Sequence, residues 1–130
     1  MDEFLIWAAG FFDGEGCVGI YPGRQAGRVR WRLCLSVVQK DRRPLDLMRE
    51  RFGGSISRKE DDRWVLTFGP GSASAFLREV RPHLRVKADQ ADVALEFADR
   101  LRAGKATTDE ENAARSLLAA RCSELKQIAA

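Results

Sequence analysis

Two acidic residues and a set of glycines near the start of the chain are the first candidates for chemistry. Residues 8–16 read Ala-Ala-Gly-Phe-Phe-Asp-Gly-Glu-Gly, which places Asp13 and Glu15 among Gly10, Gly14 and Gly16. A carboxylate at a chain reversal can bind a hard divalent cation, which prefers oxygen ligands. Gly14, Gly16 and Gly19 also spell GxGxxG, a dinucleotide-binding pattern. That pattern works only between a strand and a following helix, where phosphate meets a helix N-terminus. Here the apolar spacing predicts a helix before it and a strand after it. A pyrophosphate would then meet the negative end of the helix dipole, so the dinucleotide reading fails.

The elements that position these residues follow from periodicity. Residues 3–14 are predicted helical, with Phe4, Trp7, Ala8, Phe11 and Phe12 as the apolar stripe and Asp2 as the cap. Residues 17–21 read as a strand, Pro22-Gly23 and Gly27 as a turn, and residues 28–38 as a second strand. In that strand Arg28, Arg30 and Arg32 alternate with Val29, Trp31, Leu33, Leu35 and Val37. Asp41 and Pro44 open a helix that runs to Phe52 and stops at Gly53-Gly54. A second hairpin covers 55–59 and 63–68, turning at Glu60-Asp61-Asp62. Helices follow from Ser72 to Pro82, over 88–103, and from a Thr107/Glu110 capping box to about Ile128. The order implies an α+β fold with a four-stranded antiparallel sheet covered on one face by helices. Residues 1–130 are expected to form one domain, with 104–130 as a helical extension.

Gly10 and Gly14 lie four apart, on one face of the first helix. Glycine inside a helix costs about 1 kcal/mol relative to alanine. Two on one face imply that another backbone approaches there, from the same chain or from a second copy.

Composition narrows the class. The 130 residues carry 22 Lys and Arg against 19 Asp and Glu, a net charge of only +3, so net charge alone barely argues for nucleic acid. Three widely spaced cysteines, Cys17, Cys34 and Cys122, form no CxxC pair and are read as reduced. His83 is the one histidine, so neither a histidine metal site nor a Ser-His triad can be built. The acidic start Met1-Asp2-Glu3 lacks the basic region of a signal peptide. No apolar run approaches the roughly 20 residues that span a bilayer. The chain is therefore expected to be soluble, in the cytoplasm or an organelle matrix, with no membrane partner and no small-molecule cofactor.

Residues 8–16 resemble the LAGLIDADG motif of homing endonucleases, in the form that ends Asp-Gly-Asp/Glu-Gly; alanine stands for the first leucine and Glu15 is the second acid. The motif also sits on a helix leading into a hairpin, as in that family. The resemblance implies an αββαββα fold whose sheet forms a DNA-binding saddle. With one motif present, it implies a homodimer packed through Ala9, Gly10, Asp13 and Gly14. It implies that Glu15, with Gly14, holds Mg²⁺ or another hard divalent cation such as Mn²⁺ or Ca²⁺. Asp13 is read instead as a hydrogen-bonding group at the helix end.

Weaker similarities assign further catalytic residues. Residues 37–43 resemble the family segment in which a glutamine ends the second strand and an arginine follows four residues later, giving Gln39 and Arg43. Residues 82–95 resemble a Pro-x-Leu-x-x-Lys segment, giving Lys87, with Arg85 as the neighbouring alternative. The implied DNA-binding residues are Tyr21, Arg28, Arg30, Arg32, Ser36, Lys40, Ser57, Lys59, Arg63 and Thr67, on the strand face away from the helices. The same residues also fit an ordinary solvated sheet face. The implied activity is metal-dependent hydrolysis of both strands of a long, roughly palindromic double-stranded DNA site. A non-cleaving maturase or DNA-binding regulator of the same fold, and an unrelated α+β binding protein, are the other readings.

Overall fold

In a computed structural model of the chain, which describes residues 2–105 and 108–129, the first helix α1 spans Glu3–Glu15. The Asp2 carboxylate accepts from the Leu5 N–H at 3.1 Å and caps it. Strands β1 (Gly16–Gln25) and β2 (Arg28–Gln39) form the first hairpin, and helix α2 (Arg43–Phe52) follows. Strands β3 (Ser55–Arg58) and β4 (Trp64–Phe68) form the second hairpin. Helices α3 (Pro70–Val80), α4 (Ala88–Ala103) and α5 (Asp109–Ala129) complete the chain. All four strands join one antiparallel sheet in the order β1-β2-β4-β3.

Alternation settles the two faces. Val18, Ile20, Leu33, Leu35, Val37, Leu66 and Phe68 are buried beneath the helices. Phe76 on α3 sits at the centre of that core, edge-on to Phe12 and Phe52 and stacked on Phe68 at 4.9 Å between ring centroids. The register pairs Tyr21 with Arg32, Gln25 with Arg28, and Ser36 with Thr67 across neighbouring strands, all on the opposite face. That face meets solvent, with Tyr21 45% exposed.

Several boundaries differ from the sequence reading, each for a physical reason. Strand β1 runs through Pro22 and Gly23 instead of turning there. It is an edge strand, where a missing N–H can face away from the ladder. The turn lies at Ala26-Gly27, both with positive φ (52° and 77°), the conformation that matches a tight hairpin's twist. Helix α3 begins at Pro70, not Ser72, because proline suits a first turn. The cap of α5 is Thr108, whose Oγ1 accepts from the Glu111 N–H at 3.1 Å; Thr107, expected in that role, lies outside the described residues.

Helix α1 departs most from expectation. Its buried face carries Leu5, Ala8, Ala9, Phe12 and Asp13. Phe4, Trp7 and Phe11 form a half-open aromatic row instead, with Trp7 and Phe11 stacked at 5.4 Å. The helix is apolar nearly all round, so the stripe through Phe4, Trp7, Ala8, Phe11 and Phe12 coincides with the face it buries only at Ala8 and Phe12. Among the described residues no helix is long and apolar enough to cross a membrane.

Candidate active site and nucleic-acid interface

The two acids of residues 8–16 do different things. Asp13 is buried, and its carboxylate accepts three backbone N–H bonds from one loop: Arg85 at 2.7 Å, Val86 at 3.2 Å and Lys87 at 2.9 Å. Lys87 then turns its ammonium back and donates to the Asp13 carbonyl at 2.6 Å. That cation sits at the C-terminal end of α1, where the helix dipole favours positive charge. Asp13 thus latches the segment before α4 to the foot of α1. The expected helix-end role of Asp13 is what the geometry provides, and its carboxylate faces its own chain.

Glu15 is the exposed acid, and among the described residues no hydrogen bond or ion pair engages its side chain. It ends α1, where the last carbonyls point outward along the axis. Gly16 follows as the helix cap, its N–H donating to the Phe12 carbonyl. A side chain at Gly16 would come within 2.3 Å of the Phe12 ring, so the core itself demands that glycine.

Gly10 and Gly14 are the reverse case. Both are exposed, and a Cβ built on either would meet no atom within 4 Å. Among the described residues the chain's own packing gives no reason for glycine at these positions, although Gly10, inside the helix, costs about 1 kcal/mol relative to alanine. Among the described residues no backbone from another element of the chain approaches either glycine. Beside them lie Ile6 and Trp7, 39% and 38% exposed. Ala9, expected on this surface, is fully buried within the chain and cannot present its methyl group to a partner.

The register that pairs Gly16 with Val37 sets Gln39 two residues further on, at the end of β2 beside the foot of α1. Lys87 reaches the same place through Asp13. Beside Lys87 a depression of about 300 Å³ opens, lined by Asp13, Gly14, Gly16, Cys17, Lys87 and Lys126 among others, but not by Gln39 or Glu15. Arg43 stands at the start of α2, 88% exposed, with its fork closed on Asp41 at 2.6–3.1 Å. The guanidinium holds the Asp41 carboxyl down at about 2, so the pair is charged on both sides at neutral pH. Arg85 joins the site through its backbone N–H. The sequence missed two features: the Asp13 latch, which spans more than 70 residues of chain, and the arrival of Lys126 from α5.

Charge on the sheet is segregated. On the helices and their ends, Arg42, Arg51, Arg78, Arg81, Arg100, Arg102, Arg115 and Arg121 each pair with a carboxylate. Among the described residues no carboxylate stands at ion-pair distance from Arg28, Arg30, Arg32, Lys40 or Lys59. Of the expected DNA-binding cations, only Arg63 has such a partner, Asp61 at 3.6 Å. Tyr21, Ser36, Ser57 and Thr67 fall on the same face by register. The mild net charge of the chain conceals a cationic sheet face, on which the arginines of the second hairpin meet Asp61 and Asp62 while, among the described residues, those of the first hairpin have no ion-pair partner. An antiparallel ribbon of this kind fits the DNA major groove.

An α+β sheet with a free cationic face, an unengaged acid at its edge and a lysine latched beside it defines the class. The sequence profile of the LAGLIDADG endonuclease family matches residues 8–86, more than half of the chain, and the protein belongs to that family. No curated protein matches. Solved structures share the fold at low identity. The homing endonuclease I-CvuI, in complex with a DNA target in the presence of Mg, is 24% identical with a TM-score of 0.84, covering 94% of this chain and 81% of its own. The archaeal intron-encoded homing endonuclease I-Vdi141I, complexed with DNA, is 22% identical with a TM-score of 0.85 over 94% of this chain and 83% of its own. The homing endonuclease I-TnaI is 21% identical with a TM-score of 0.81 over the full length of both chains.

Replacing Asp13 with Asn removes the charge that gathers three N–H donors, bonds of a kind that contribute about 1.5–3 kcal/mol each at most. Asp13→Asn is expected to destabilise the chain by about 2 kcal/mol in urea unfolding. It should also raise hydrogen exchange at the amides of Arg85, Val86 and Lys87 selectively. Unchanged exchange at those three amides would mean that the latch does not hold the loop.

Proposed function

We propose that two copies of this chain form a site-specific endonuclease that hydrolyses both strands of a long, roughly palindromic double-stranded DNA site. The observation that carries this reading is the pairing of an empty glycine face with an unengaged acid at its end. A second α1 laid against Gly10 and Gly14 gives the two glycines their physical reason. It also brings the two Glu15 carboxylates toward each other at the foot of the helix pair. Carboxylates brought close repel unless a cation or a proton lies between them.

The donor set suits a hard divalent cation such as Mg²⁺, Mn²⁺ or Ca²⁺. Glu15 offers an unpaired carboxylate and Gly14 a backbone carbonyl, at the helix end where positive charge is favoured. Among the described residues no three His, Cys, Asp or Glu side chains converge, so one chain alone supplies too few ligands. A second Glu15, phosphate oxygens and water complete the set. A cation held there supplies a nucleophilic water at neutral pH and polarises the phosphate.

The remaining roles belong to the chain's own side chains. Gln39 orients the attacking water through its amide. Lys87 spends one of its three N–H bonds on the Asp13 carbonyl and turns the others to the phosphate, countering charge that develops there. Arg43 keeps its Nη1 donors free while Nε and Nη2 hold Asp41, and it faces the phosphate from the other side. Arg28, Arg30 and Arg32 read base edges in the major groove, where each good bidentate pair with guanine contributes about 1–3 kcal/mol of discrimination. Lys40, Ser57, Lys59, Arg63, Ser36 and Thr67 follow the backbone and groove wall. Residues 1–130 act as one domain, with 104–130 packed on as a helical extension.

Glu15→Gln keeps the shape and removes the charge. It is expected to abolish cutting of a randomised duplex library in Mg²⁺ while leaving DNA affinity within a few-fold of wild type. Equal cutting by wild type and Glu15→Gln would take Glu15 out of the mechanism. Gly10→Leu inserts a side chain that the single chain has room for. It should leave each chain folded by circular dichroism yet convert a dimer to monomers in sedimentation; a dimer that survives the change would place the interface elsewhere.

A further inference from the structure

The family match ends at residue 86, yet α5 comes back to touch β1, β2 and α4. It reaches β1 through named contacts. The Cys122 thiol donates to the Val18 carbonyl at 3.6 Å, and the Lys126 ammonium donates to the Tyr21 hydroxyl at 3.1 Å while lying 5.1 Å from the centre of its ring. Tyr21 stands on the open sheet face, and its ring folds back over Gly19. A Cβ at Gly19 would fall 2.0 Å from the ring. The phenol oxygen also lies 3.7 Å from the Cys17 sulfur. One ring face is therefore seated on backbone, the hydroxyl edge is held by Lys126 and Cys17, and the other face is open, leaving the residue 45% exposed.

This geometry limits what Tyr21 can recognise. Its polar group is already engaged, so what it offers DNA is a flat apolar surface held in one pose. In the major groove the apolar group on a base edge is the thymine methyl. Holding the ring before DNA arrives removes an ordering cost that a free side chain would meet on binding.

We infer that Lys126 is a positioning residue for sequence readout: from the C-terminal helix it fixes the Tyr21 ring as a plate against a thymine methyl in the major groove. The inference rests on the proposed DNA endonuclease activity and extends it to a helix outside the family match.

The test uses the full-length dimer, a randomised duplex library with Mg²⁺, and four variants: Lys126→Met, Lys126→Arg, Tyr21→Phe and Gly19→Ala. The last moves the ring aside without touching either end of the contact, since the atom in its way is the far end of a flexible side chain. The wild type should favour thymine at one mirror-related pair of positions. Lys126→Met should reduce that preference roughly fivefold and leave guanine preferences elsewhere unchanged. Tyr21→Phe and Gly19→Ala should do the same. The Lys126→Met/Tyr21→Phe double variant should be no worse than either single one, and Lys126→Arg should restore the preference. The chain has one tyrosine, so its ring gives a single set of NMR signals; these should shift in free Lys126→Met and return in Lys126→Arg.

Unmoved ring signals, an unchanged thymine preference, or a uniform loss of affinity with a shallower salt slope would each overturn the inference. The last would make Lys126 an ordinary phosphate contact. A wild type that selects no duplex removes the DNA reading itself and this inference with it, a failure visible before any variant is compared.

Discussion

Helix α1 has to satisfy two surfaces at once, and the rest of the site follows from how it does so. One side packs Ala8, Ala9 and Phe12 into the core and uses Asp13 to tie down a distant loop. The other side carries Gly10 and Gly14 against empty space. The inward side fixes where the helix ends, and so where Glu15 stands. The outward side is a surface without a purpose in one chain. Small residues at the inner contact let a 13-residue helix lie close to its own sheet, and the glycines leave its outer side equally open to close approach.

The sheet obeys a complementary rule. Arginines on the helices are answered by nearby Asp and Glu, while those in the middle of the first hairpin are not. Unanswered guanidinium groups repel one another, and the strand register fixes their spacing. Such a face gains stability from a polyanion, and it does so with the rigidity of a four-stranded sheet whose far side is a packed core. Association with DNA through such contacts releases counterions and is steeply dependent on salt. Loops would carry the same charges with far less control over their spacing.

Much of this was legible in the sequence, for identifiable reasons. Two hairpins announced themselves because alternation has a period of two, and Arg28, Arg30 and Arg32 against Val29, Trp31 and Leu33 leaves no other reading. The Asp-Gly-Glu-Gly run marked the end of α1 because glycines and acids interrupt an apolar helix there. What could not be read depended on distant partners. The latch from Asp13 to residues 85–87 has no local signature. The contact of Lys126 with Tyr21 joins residues 105 positions apart and has no local signature either. Pro22 read as a turn because only the sheet order reveals that β1 is an edge strand. The burial of Ala9 was hidden by the even apolarity of α1.

In the proposed dimer two chains each bring one Glu15 to a shared centre and each serves one strand, and mixed dimers separate the two contributions. Equal amounts of wild type and Glu15→Gln, exchanged and then presented with a supercoiled plasmid bearing the preferred site, should accumulate nicked circles as a lasting product. A mixture that yields only linear and uncut plasmid would contradict the division of the two strands between the two Glu15 carboxylates.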